Sequence, residues 1–80
     1  SGFIPETAYV FADANIKPKS GDLAVCIDAD FSKLKSDEFV EAQIALIRQD
    51  THGKTYGHIS NPEEKVNTQT MHKIVMIVMR

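Results

Sequence analysis

The side chains in this sequence with chemistry beyond ion pairing are Ser20, Ser32, Ser36 and Ser60, His52, His58 and His72, Cys26, and the aspartates Asp13, Asp22, Asp28 and Asp30. A serine becomes a nucleophile only with a base in hydrogen-bond reach. Ser20 precedes Gly21-Asp22, where a hydroxyl satisfies the backbone of a turn, and Ser36 before Asp37-Glu38 reads as a cap or loop residue. The histidines and Cys26 are the soft metal ligands, and no two have Cys-x-x-Cys or His-x-x-x-His spacing. The aspartates match no calcium loop and fall where strand ends and turns are expected. The sequence therefore predicts no catalytic set, no metal site and no cofactor.

The elements that carry these residues read mainly as strands. After Pro5, Ala8-Tyr9-Val10-Phe11 is a short β-prone run, and the stretch 14–22 is a turn with Pro18 and Gly21 close together. Leu23 to Ile27 is a second, largely buried strand. Ala42 to Arg48 and Thr55 to Ser60 read as a hairpin around Asp50-Thr51-His52-Gly53-Lys54. Val40, Ile44 and Ile47 also fall at helical spacing behind Ser36-Asp37-Glu38, so one helix near 37–49 in an α+β domain is the alternative. Asn61-Pro62 is a turn, and His72 to Met79 is a closing strand.

The closing strand holds the longest apolar run, Ile74 to Met79, far short of the roughly 20 residues of a membrane-spanning helix. Consecutive apolar residues predict a strand covered on both faces, by the core or by a partner chain, since a bare edge of this kind aggregates. Methionines suit an adaptable interface. Ile74, Met76 and Val78 are therefore the first candidates for an oligomer interface, with Phe39 and Val40 as second candidates.

Eighty residues make a single domain, 1–80, with a thin stability margin, and burying an apolar face against a second copy is a common remedy. At 42% hydrophobic and 25% charged the chain is an ordinary globular one. A net charge of -2 supplies no field for phosphates, so the domain by itself is a poor nucleic-acid binder. The single cysteine excludes an internal disulfide and fits a reducing cytoplasm. No secretory signal is visible, and without an initiating Met the chain reads as a fragment of a longer protein.

The string Glu6 to Val25, with Ala8-Tyr9, a turn containing Pro18 and then Gly21-Asp22-Leu23-Ala24-Val25, resembles the opening of the self-cleaving C-terminal domain of LexA, UmuD and phage CI repressors. Glu38 to Ile47, Gly53 to Ile59, Asn61-Pro62 and Lys73 to Val78 are similar to the later strands of that domain. The resemblance implies a small, strongly bent antiparallel sheet or partial barrel. It also implies a nucleophilic serine where this chain has Ala14, with Asn15 for the following methionine, and a lysine base where it has Gly57. Losing both members removes the Ser-Lys chemistry, and Lys54, three residues from Gly57, would face the other side of a strand.

Together these readings predict a non-catalytic dimerisation or oligomerisation domain of a cytoplasmic phage or mobile-element repressor. Its partner is a second copy of itself, with an antirepressor protein as a further possible partner and no membrane. Operator DNA is reached only through an N-terminal DNA-binding domain absent from this chain, and pairing would space two such heads. An autopeptidase inactivated at Ala14 and an unrelated α+β binding module are the alternatives.

Overall fold

The structure is a computed structural model that describes residues 3–4, 7–35, 37 and 40–79. Five strands form one antiparallel sheet: β1 (Tyr9–Asp13), β2 (Leu23–Ile27), β3 (Ala42–Gln49), β4 (Thr55–His58) and β5 (Thr70–Val78). A single 3-10 turn, Phe31–Lys33, follows β2. The strand order is β1-β5-β2-β3-β4, and the sheet does not close into a barrel. The mainly β expectation holds. The helix alternative near 37–49 does not, because Ala42–Gln49 is a strand paired to both β2 and β4. Ala45 and Ile47, alternate residues of β3, both go to zero exposure, so period-two burial overrides the helical spacing of Val40, Ile44 and Ile47.

The core is small and built from small residues. Ala24, Cys26, Ala45 and Ile47 form it, with Val66 and Met71 packed against it. The chain between β4 and β5 is tied to the sheet where Val66 N–H donates to Gly57 O at 2.8 Å and Gln69 N–H donates to Ile27 O at 2.9 Å. Register places Gly57 opposite Ile47. A Cβ at Gly57 would stand 2.9 Å from Ala45 Cβ and 3.3 Å from Cys26 Sγ, so the absence of a side chain is what lets β4 settle there.

The β3–β4 hairpin is held by Asp50. Its Oδ1 accepts from His52 N–H at 2.8 Å and Lys54 N–H at 2.9 Å, while Gly53 takes the left-handed conformation at φ 78 that closes the loop. Lys65 Nζ lies 3.6 Å from Asp50 Oδ2 and 4.9 Å from the centre of the Tyr56 ring. The Lys54 amide, then the His52 amide and the Lys65 charge, hold the Asp50 carboxyl below the usual carboxylate range. A lowered carboxyl contributes stability above the unfolded value near 3.9 and loses it as pH falls through the folded value. The urea-midpoint difference between the parent and Asp50→Ala is therefore expected to be flat at neutral pH and to close below about pH 4. A difference independent of pH down to full protonation would contradict this account.

β5 changes neighbour along its length, and only Lys73 is paired on both sides. β2 pairs with it from Thr70 to Lys73, and β1 from Lys73 to Val78. The reason is local to Gly21 and Asp22. Gly21 N–H donates to Ile47 O at 2.8 Å and Ile47 N–H donates to Asp22 O at 2.9 Å, so the chain entering β2 stays with β3, turning at Gly21 with φ 96. From Ile74 onward β5 continues beside β1 alone, as a two-stranded ribbon.

Candidate functional site

The ribbon is where apolar side chains meet solvent. Residues paired across an antiparallel ladder share a face. Phe11 pairs with Met76 and Tyr9 with Val78, which puts these four on one face; Val10 pairs with Ile77 on the other. Phe11 is 49% exposed and Met76 51%, and Tyr9, Val75, Ile77, Val78 and Met79 are exposed with them. A bulge between Phe11 and Ala12, opposite Val75, shifts the register where the ribbon begins, and bulges sharpen local twist. The β5 edge facing away from β1 carries no strand beyond Lys73, and a groove runs along it between Asp22-Leu23 and Ile74 to Ile77.

The sequence-predicted interface residues separate here. Met76 and Val78 lie exposed on the ribbon and Ile74 is half-buried at its base. Val40 is exposed but precedes Ala42, which pairs through Ile27 to Thr70, so it sits at the opposite end of the sheet from the ribbon. Phe39 lies outside the described residues. Of the two covers expected for the run from Ile74 to Met79, the core or a partner chain, the core does not reach residues 75–79: β2 ends before them, and no other element among the described residues lies over them. Tyr9 and Phe11 were not singled out from sequence as interface residues; two aromatics two residues apart in a five-residue strand were the available signal.

At the foot of the ribbon lies a cleft of about 530 Å³, whose walls include Ala14, Lys17, Thr55, Gln69 and His72. Ala14 follows β1 in a turn fixed by Asp13, whose Oδ1 accepts from Asn15 N–H at 2.8 Å. Gly57 does not reach this cleft; it is buried against Ala45 and Cys26. Lys54 is exposed in the hairpin loop. The position of the resembled nucleophile thus opens on a cavity, and the position of the resembled base is inside the core.

The remaining chemistry-bearing residues are structural. Ser32 Oγ donates to Asp30 Oδ1 at 2.7 Å, Asp22 Oδ2 accepts from Lys19 N–H at 2.8 Å, and Ser20 is exposed in its turn. Ser36 lies outside the described residues. His58 and His72 are both buried, 5% and 9% exposed. Arg48 Nε–H donates to His58 Nε2 at 3.3 Å, so this strand histidine is held by its hairpin neighbour. No group of three or more His, Cys, Asp or Glu among the described residues could hold a metal.

Cys26 is the one thiol, and it faces the core. Burial pushes the thiol up from 9.0, and the Thr68 hydroxyl pulls it part of the way back. The thiolate is the reactive form, so native Cys26 is expected to resist iodoacetamide at pH 8 and to react on addition of urea. Alkylation of the native chain at the rate of free cysteine would contradict that placement.

No helix among the described residues is long and apolar enough to cross a membrane. Compared with known proteins, the chain matches no family model, no curated protein and no solved structure, so its function rests on the geometry of the ribbon and the cleft.

Proposed function

We propose that this chain is a non-catalytic self-association domain that pairs with a second copy through the β1–β5 ribbon. One observation carries the reading: over residues 74–78 a strand with consecutive apolar side chains presents exposed apolar faces and a backbone edge that no strand among the described residues pairs with. Unpaired N–H and C=O groups on such an edge hydrogen-bond to another strand, and apolar side chains flanking them leave water in the same step. A second copy fits because the edge is complementary to itself, an antiparallel strand meeting its own symmetry mate about a two-fold axis.

The resemblance to LexA-like and CI-like repressors supports a wider reading, in which two such domains hold two DNA-reading heads at a fixed spacing in the cytoplasm. In that setting Ala14 and Gly57 leave self-cleavage without nucleophile or base. An antirepressor would be a protein that competes for the same ribbon. Sedimentation equilibrium across micromolar concentrations tests the self-association. A dimer or higher species is expected; a strict monomer at the top of that range would remove the reading.

A further inference from the structure

We propose that the cleft at the foot of the ribbon is a binding site for a small organic anion, a carboxylate on an apolar body. Its volume of about 530 Å³ is that of a small-molecule site. Two kinds of surface line it. Ala14, Pro18 and Met71 supply an apolar wall, while Lys17, Thr55 and Gln69 supply an ammonium, a hydroxyl and an amide. These polar groups come from three separate parts of the chain: the turn after β1, the start of β4 and the approach to β5.

The sign of the ligand follows from what is absent around that wall. The chain carries 11 carboxylates and a net charge of -2, yet none of the described residues lining the cleft is acidic. Lys33, Lys65 and Lys73 have the carboxylate partners Asp30, Asp50 and Asp22, whereas Lys17 makes no ion pair among the described residues. Asp13, the nearest carboxylate in sequence to Ala14, is engaged by the Asn15 amide in its own turn. Lys17 is therefore the one side chain of fixed charge among the described residues lining the cleft, and it favours anions over cations there. The apolar wall selects among anions for those with a hydrocarbon body over inorganic ones, because only they gain from covering Ala14, Pro18 and Met71.

The cleft is also complete within one chain. No residue of the ribbon's exposed half lines it, so binding stands or falls independently of self-association.

Benzoate and its neutral counterpart benzamide, titrated into the full chain and followed by amide chemical shifts, test the inference. Benzoate is expected to bind at least about tenfold more tightly, the worth of one hydrogen bond to a charged group. The shifts should centre on residues 14–18, 55 and 69–72. Lys17→Gln should weaken benzoate about tenfold and leave benzamide unchanged, and Lys17→Arg should retain the preference. Equal binding of the two probes, shifts centred elsewhere, or a Lys17→Gln chain that binds benzoate as the parent does would each overturn it. A monomeric chain that passes this test would remove the self-association reading alone, and a dimer that fails it would remove the anion site alone.

Discussion

Gly57→Lys is expected to abolish the native state, and Gly57→Ala to weaken it measurably. The first carbon of any side chain at this position stands 2.9 Å from Ala45 Cβ, 3.3 Å from Cys26 Sγ and 3.5 Å from Ile47 Cδ1. The two nearest are closer than comfortable contact, and Ala45, Cys26 and Ile47 are themselves buried. Forcing one methyl into a packed core costs about 1–3 kcal/mol. A lysine adds three more carbons and an ammonium, and a buried charge without a partner costs several kcal/mol beyond that, of the same order as the whole stability of a domain this small. Far-UV circular dichroism with urea titration reads both variants. Ala45→Gly placed in the Gly57→Ala background should recover part of the loss by removing the nearest clashing atom. A Gly57→Lys chain with the parent's urea midpoint would show that the core is looser than these distances require. The same crowding means that one substitution does not place a lysine at this position without displacing the core.

Met76→Lys is expected to separate paired chains while leaving each one folded. Met76 is half-exposed in the monomer, where a surface substitution of this kind changes stability by about 0.5 kcal/mol or less. In a pair, the new ammonium would be drawn out of water beside Phe11 and Val78, at a cost of several kcal/mol. Each 1.4 kcal/mol is tenfold in the dissociation constant, so a rise of about 100-fold or more is expected. Sedimentation equilibrium reports the constant, and the urea midpoint confirms that the fold is unchanged. Val40→Lys, at the far end of the sheet, is the matched control and should leave association as it is. A Met76→Lys chain that associates within threefold of the parent would move the interface off the ribbon.

Much of this architecture could be read from the residues. The turn at Gly21-Asp22, the β-branched runs and the hairpin around Asp50 to Lys54 place all five strands near their observed positions. Those signals are local, and backbone geometry enforces them locally. Strand order and the span over which two strands pair are set by distant groups. Nothing in Leu23-Ala24-Val25 shows that β2 stops short of Ile74, because the cause is the pair of hydrogen bonds from Gly21 and Asp22 to Ile47. This is why the sequence leaves open whether the core or a partner covers Ile74 to Met79, while the fold shows that beyond Ile74 the core does not. The burial of His58 is hidden from the sequence for a related reason. His58 follows a glycine that fixes how closely β4 approaches the core, and a glycine's neighbours in space are not written beside it in sequence. Cys26 as a core residue, by contrast, follows from its place in an apolar strand.

The position of β5 between β1 and β2 has a consequence for how the chain is made. β1 emerges first from the ribosome, yet its only partner in the sheet is the strand that emerges last of the five. β1 can therefore join the sheet only after β5 has been made, by which time β2, β3 and β4 are all available to pair around Ala24, Ala45 and Ile47. Pairing strands so far apart in sequence is slow, because loop closure comes before any contact offsets it. A strand whose partner comes so late is open to contact with other chains in the meantime.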